Sequence, residues 1–219
     1  MIGSQYGQDE VVLRLLNGMR GGFFFDTGAS DGIDASNSLR LEREFGWQGI
    51  CVEPDPGYFA LLEQRRTARL FNCCLDEEAG EVAFVAAGTL GGLLRCYEPE
   101  ELAELRRKRP WARVVTRPAR SIREVLRHGG APPVIDYWSL DTEGSELALL
   151  RAFPFDEFTF RVLTVEHNRQ ANRREQFRLF LESRGFARFC EIEIDDCYVN
   201  TALGLTAGDA TRALFRIRA

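Results

Sequence analysis

Apolar residues arrive along this chain in two alternating rhythms. Short continuous runs at 22–26 (GFFFD), 49–53 (GICVE), 69–74 (RLFNCC), 135–140 (IDYWSL) and 161–166 (RVLTVE) have the length and make-up of buried strands. Between them, at 36–45, 56–66, 145–152 and 171–184, apolar positions recur every three or four residues, as on a helix with one buried face. Strand and helix taking turns predicts an α/β fold, a mainly parallel, doubly wound sheet with helices on both faces. The last helical stretch, ANRREQFRLFLESRG, stops at Gly185, a residue suited to the left-handed turn that ends a helix. Beyond it, FARFCEIEI and DCYVNT read as two late strands, an antiparallel hairpin closing the C-terminal edge of the sheet. No repeat or low-complexity linker breaks the pattern, so residues 1–219 are expected to form one domain.

The stretch from about 82 to 128 is longer than a plain crossover. EVAFVAA alternates like a strand. PEELAELRRKRP reads as a short helix, with Pro99 at its start, acids in its first turn and bases in its last. SIREVLRHGG opens with Ser121 and Glu124 in capping-box spacing. Between 95 and 127 there are ten Arg or Lys against five acids, an excess that stands out in a chain of net charge −5. Either this is a solvated helical face, or the segment around 86–120 is an inserted lid that steers an anionic or sugar-phosphate substrate.

Charge and composition narrow the function classes. The acidic balance gives no global field for nucleic acid, so no nucleic-acid partner is expected. No apolar run approaches the ~20 residues that cross a bilayer, and the polar start MIGSQYGQDE lacks the apolar stretch of a signal peptide. A cytoplasmic protein without a membrane span is expected. Six cysteines without a CxxC pair, and two histidines, argue against a zinc site, and reduced, structural thiols are expected.

The chemistry concentrates in GFFFDTGASDG, 22–32. Its GASDG matches the GxSxG elbow of hydrolases, but it follows the first strand, leaving no earlier strand to supply an oxyanion loop. A dinucleotide fingerprint laid from Gly28 requires glycine at 30 and 33, where Ser30 and Ile33 stand. The third template is an acid at a strand end followed by small residues at every second position. Asp26, Gly28, Ser30 and Gly32 fit it, and it suits a cofactor without phosphates, S-adenosylmethionine. Small residues let the backbone approach the methionine part, a following helix N-terminus offers N–H groups to its carboxylate, and Asp26 accepts from its ammonium group. Glu53 ends the second strand 27 positions beyond Asp26, placed to bond the ribose hydroxyls.

These pieces together resemble the FkbM family of methyltransferases. The resemblance rests on SQYGQD (4–9), GFFFDTGASDG (22–32), SNSLRLEREFGWQGICVEPDP (36–56), NCCLDEEAGEVAF (72–84), IDYWSLDTEGSELALL (135–150) and VLTVEHN (162–168), which run in family order. It implies a Rossmann-like class I methyltransferase fold. It also implies transfer of a methyl group from S-adenosylmethionine, leaving S-adenosylhomocysteine, to a hydroxyl of a small-molecule or glycan acceptor. Thr27, where valine or isoleucine is usual, and the pair Cys73–Cys74 depart from the family pattern; the segment 95–127 matches it least. The expected cofactor contacts are completed by Gln8 or its neighbours Gln5 and Tyr6, by Ala29, Ser36, Asn37, Pro54 and Asp141, and by Cys74 and Leu75 in an adenine pocket over 72–76.

Methyl transfer to a hydroxyl needs a proton removed. The fourth core strand ends SLDTEGSE and the fifth VEHN, bringing Asp141, Glu143, Glu166, His167 and Asn168 to the carboxyl edge of the sheet. In one mechanism Asp141, Glu143 or His167 takes the proton directly, with Glu166 beside them. In the other, Asp141, Glu166 and Asn168 hold Mg²⁺, which acidifies the hydroxyl. N- or carboxyl-methylation on the same scaffold, or a non-catalytic S-adenosylmethionine-binding module, are the alternatives. Acceptor identity and oligomeric state are left open.

Overall fold

The structure is a computed structural model, and it describes residues 3–205. Eleven strands follow in chain order: β1 (Phe23–Thr27), β2 (Gln48–Val52), β3 (Arg69–Phe71), β4 (Cys74–Leu75), β5 (Gly80–Ala86), β6 (Gly92–Leu93), β7 (Arg113–Arg120), β8 (Val134–Leu140), β9 (Thr159–Glu166), β10 (Phe186–Ile192) and β11 (Asp195–Asn200). Seven helices accompany them: α1 (Gln8–Leu15), α2 (Leu39–Phe45), α3 (Pro56–Arg65), α4 (Pro99–Lys108), α5 (Ile122–His128), α6 (Glu146–Ala152) and α7 (Ala171–Glu182).

Seven strands form the main sheet in the order β10-β11-β9-β8-β1-β2-β3. Pairs among β3, β2, β1, β8 and β9 are parallel, and β11 runs antiparallel to both β9 and β10. The antiparallel edge is therefore present, with the last strand inserted inside and β10 outermost. Side chains alternate across the sheet. Phe24, Cys51, Tyr137 and Val162 face α1, α2 and α3, while Phe25, Ile50, Trp138 and Leu163 face α5, α6 and α7. Trp138 anchors the second face against Phe25, Phe153 and Phe160, with ring centroids 5.0–5.6 Å apart.

The run 69–74 does not make one strand. It breaks after Phe71, and Cys74–Leu75 joins β7 in a second, four-stranded sheet of order β4-β7-β5-β6. Asn72 makes the break: its side-chain amide donates to the Glu53 carbonyl (2.7 Å) and its Oδ1 accepts from Arg117. The segment between β5 and β7 contains α4 and returns through seven paired residues, Gly80↔Ala119 to Ala86↔Arg113. Helix starts follow the sequence signals. Asp55 accepts from Gly57 N and Tyr58 N (2.8 and 3.3 Å) ahead of α3, and Ser121 Oγ accepts from Glu124 N (3.2 Å) at α5.

Strand order reverses between β1 and β8, each sending its chain to opposite sides. In an open α/β sheet the crevice at that switch point, beyond the carboxyl ends, is where ligands sit.

Candidate active site

The switch point is built by close backbone contact. Gly28 leaves β1 with φ 92°, and a Cβ there would stand 1.8 Å from the Asp141 carbonyl oxygen at the end of β8. Asp141 N donates to Thr27 O (3.1 Å), and Gly28 N and Ala29 N both donate to Val52 O (3.0 and 3.1 Å). Three strand ends are thus tied into one platform. Ser30, also left-handed at φ 50°, donates its N–H to Glu53 Oε2 (2.8 Å), and Asp55 N donates to Glu53 Oε1 (2.7 Å). Burial, reinforced by Asp55 and Asp26 and opposed by these two bonds, lifts the Glu53 carboxyl to about 7.

Gly28, Ser30, Glu53 and Asp141 of this platform line a cavity of about 320 Å³. Asp34 and Ala35 of the first loop, and Glu143, Glu166 and Asn168 from the ends of the later strands, extend its lining. Gln5 and Ile194 also reach it, and the strap Gly88-Thr89-Leu90-Gly91 lies against it. A second cavity, also about 320 Å³, adjoins it, lined among others by Tyr97, Leu105, Lys108, Gln170 and Arg173. Leu90, Glu143 and Asn168 belong to both. Arg109 holds the strap through Ala87 O and Thr89 Oγ1, and Tyr97 Oη donates to Leu90 O (2.5 Å).

Where the cavities meet, one carboxylate oxygen each of Asp141, Glu143 and Glu166 lies within 4.8 Å of the others. Desolvation and mutual repulsion raise all three: Glu143 and Glu166 to about 8, and Asp141 well above the usual carboxylate range. Asn168 Nδ2 donates to Glu166 Oε2 (2.8 Å). Glu143 stands at φ 54°, in a turn organised from below by fully buried Glu146. The Glu146 carboxylate accepts from Thr142 N and Gly144 N (both 2.9 Å) and meets Arg173 at 3.4 Å. A Cβ on Gly92 would come within 2.8 Å of Glu143 O, so the small sheet reaches the turn only through a glycine.

The Methyltransferase FkbM domain matches residues 26–188, well over half of the 219. The chain belongs to the FkbM methyltransferase family. Its strand order and doubly wound sheet are those of the Rossmann-like class I methyltransferase fold. No curated protein matches the sequence. Among solved structures it is similar to a candidate RNA methyltransferase, PH1948 from Pyrococcus horikoshii (14% identity, 88% of this chain and 81% of that one, TM-score 0.41). It is also similar to precorrin-6y C5,15-methyltransferase from Geobacter metallireducens GS-15 (12%, 87% and 85%, 0.43). A third is TrmK of M. capricolum in complex with S-adenosylhomocysteine (10%, 86% and 65%, 0.42). No helix among the described residues is long and apolar enough to cross a membrane.

In this FkbM methyltransferase the cavity gathers Gly28, Ser30, Glu53, Asp141, Glu143, Glu166 and Asn168 from the residues singled out in the sequence. Others lie elsewhere. Asp26 is buried under the loop, bonded by Ser38 Oγ and raised by desolvation against the opposing charge of Arg66; it does not line the cavity and offers no acceptor there. Gly32 packs on Leu62 and Arg66, and Ala29 is buried in the platform. Ser36 Oγ accepts from Arg66 (3.2 Å), and Asn37 Nδ2 donates to Ser139 Oγ (2.9 Å). These brace the loop, and Pro54 sits half-buried in the turn into α3.

The expected helix N-terminus is also displaced, because α2 begins only at Leu39 and a side-chain-capped loop intervenes. Cys74 and Leu75 are buried in the small sheet, and Asp76 pairs with Arg95. Gln8 is buried, donating to Asp195 Oδ2 (2.8 Å), so Gln5 rather than Gln8 reaches the cavity. His167 turns away. Its Nδ1 accepts from Arg169 N (3.0 Å), its Nε2 faces Asp196 at 3.8 Å on the other side of the strand, and burial lowers its pKa. Sequence reasoning missed Arg66, whose buried guanidinium bonds Ser36, Ser38 and Glu42 and stacks on Phe24 at 5.5 Å. The 88–91 strap falls within the segment around 86–120 read as an inserted lid, and the glycines of AAGTLGGLL mark it.

Proposed function

We propose that this chain is an S-adenosylmethionine-dependent O-methyltransferase acting on a hydroxyl of a sugar, glycan or secondary metabolite. The reading rests on Glu143, a carboxylate of raised pKa at the junction of two cavities, one of them beside the Gly28–Ser30 loop and Glu53. S-adenosylmethionine would bring a methyl group on a sulfonium centre to the first cavity. There the Gly28–Ser30 backbone admits a ligand closely, and Glu53, fixed by two N–H donors, keeps lone pairs for paired hydroxyls. Glu143 takes the acceptor proton. A base raised to about 8 lies near the operating pH, where proton transfer by a side chain is most effective. Asp141 and Glu166 then act as neighbours that keep one another and Glu143 partly protonated.

The convergence of three carboxylate oxygens within 4.8 Å favours a second reading as well. Oxygen donors of this kind suit Mg²⁺, which Asp141, Glu166 and, in the place expected of Asn168, Glu143 would hold, lowering the pKa of the acceptor hydroxyl.

The test is calorimetric titration of S-adenosylhomocysteine into wild type and Glu53→Ala, with NAD as control ligand. Micromolar binding, about −8 kcal/mol, weakened roughly tenfold or more in the variant and absent for NAD supports the site. Failure of wild type to bind, or preference for NAD, sinks the reading. Repeating methyl transfer in EDTA and after Mg²⁺ add-back separates the two mechanisms, since full activity in the chelator removes the metal.

A further inference from the structure

All six cysteines are free thiols. Cys51, Cys73 and Cys74 are buried, and desolvation raises each above the usual thiol range. Cys96 is half-buried and stands apart, at the second cavity. Cys190 and Cys197 differ from these four in facing one another. In the antiparallel pairing of β10 with β11 they are direct partners. That partnership depends on an irregularity in the strand. Arg188 opposes Tyr198, and an unbroken register would bring Phe189, not Cys190, opposite Cys197. The register shift between Arg188 and Cys190 moves the pairing on by one residue and sets thiol opposite thiol. No other two cysteines are strand partners among the described residues.

We propose that Cys190 and Cys197 form a redox-active dithiol, which a small organic disulfide oxidises to a cross-strand bridge that locks the β10–β11 hairpin. Directly opposed residues of antiparallel strands have Cα atoms roughly 4.5 or 5.5 Å apart. Both spacings lie within the roughly 4.4–6.8 Å that a disulfide spans. Access is one-sided, as stepwise exchange requires. β10 is the outermost strand and Cys190 is half-buried, whereas Cys197 is fully buried. The Cys197 thiol, bonded to the Cys190 sulfur, holds Cys190 below the usual thiol range and is itself pushed well above it, which makes Cys190 the attacking sulfur. Its thiolate attacks one sulfur of the small disulfide, forming a mixed disulfide and expelling a thiolate that takes up the proton Cys190 lost. Cys197 then attacks the Cys190 sulfur, and the second small thiol leaves with the Cys197 proton. Two protein thiols are oxidised, and one disulfide is reduced to two thiols.

The bridge sits two rungs from the hairpin turn, below Glu191↔Asp196 and Ile192↔Asp195. That turn reaches the wall of the first cavity. Ile194 lines it, and Ile194 O accepts from His167 N and Asn168 N (2.8 and 3.3 Å). Asp195, the next residue, holds Gln8 of α1. Closing the bridge thus suppresses fraying of the hairpin that supports Asn168 and fastens α1.

The test is incubation of the folded full chain with oxidised glutathione, then thiol counting and peptide mapping without reductant. Expected is a fall from six free thiols to four (six less this pair), reversed by dithiothreitol. Cys190 and Cys197 should remain joined after cleavage at Glu193 between them. Cys197→Ala should stop at the first step and retain one glutathione on Cys190, and Cys190→Ala should leave every remaining thiol free. Because Cys197 is buried, the wild-type map decides the matter even where Cys197→Ala fails to fold. Oxidation should raise the wild-type thermal midpoint by roughly 4–8 °C and slow amide exchange at Asn168. A different pairing, a bridge that forms only in urea, no bridge at all, or an unchanged midpoint would overturn the proposal. Calorimetry with S-adenosylhomocysteine on the reduced protein is independent of these outcomes, so failure here leaves the proposed activity standing.

Discussion

A single missing side chain decides how close the two chemically important strand ends can come. At Gly28 the left-handed φ of 92° and the 1.8 Å approach of a would-be Cβ to Asp141 O act together. Either alone disfavours alanine, and here the obstacle is backbone, which has nowhere to yield. Gly28→Ala should therefore lower unfolding stability by roughly 2–4 kcal/mol and abolish S-adenosylhomocysteine binding. Urea unfolding reads the first; a variant with wild-type midpoint would show that the platform relaxes without cost. The glycine and the acids were legible from residue type alone. The task of Asp26 was not. An acid at a strand end looks the same whether it points into a crevice or under a loop, and Arg66, which draws it under, sits 40 positions further along the chain. His167 failed for a related reason: it is the first residue beyond β9, and its ring turns to Arg169 N and Asp196, away from Glu166.

At the scale of elements, periodicity carried the reading. Four of the five core strands and the four helices expected from hydrophobic spacing are present, the fifth run forms a core strand only over its first half, and the late hairpin pairs as expected. What spacing could not reveal was the split of 69–74, because Asn72 changes sheets by a side-chain bond to a residue 19 positions away. Nor could it reveal that α1 is fastened to the far end of the chain. Gln8 reaches Asp195 at the start of β11, a carboxyl that burial lifts to about 6, and also accepts from Tyr6 N (2.9 Å). Gln8→Ala leaves that buried carboxylate without its donor, so it should cost roughly 1–3 kcal/mol. It should also weaken S-adenosylhomocysteine binding through the loosened Gln5. Hydrogen exchange in α1 that stays as slow as in wild type would contradict this coupling.

For the molecule as a whole, the concentration of raised carboxyls gives stability an unusual pH slope. Glu143 and Glu166 remain protonated in the folded protein up to about 8, and Glu53 up to about 7, while in the unfolded chain they ionise near 4.5. Between those limits the folded state binds more protons than the unfolded one. Stability must therefore fall as pH rises from about 5 to about 8, then level off. The paired carboxylates Glu10 and Asp31 work in the opposite direction, and their contribution is lost only as pH falls into the acid range. Urea midpoints in EDTA at pH 5.5 and 8.5 check the sign, and a higher midpoint at 8.5 would refute it. The same slope measures what the fold gives up to keep three carboxyls crowded at the strand ends.

Leu90 belongs to both cavities, its carbonyl gripped by Tyr97 and its strap held by Arg109. A partition shared by two rooms cannot be redecorated for one tenant. Chains that diverge toward a new acceptor by altering α4 pull on the same wall that shapes the other chamber. Selection must then move both walls in step, or leave the strap alone and work from the open side.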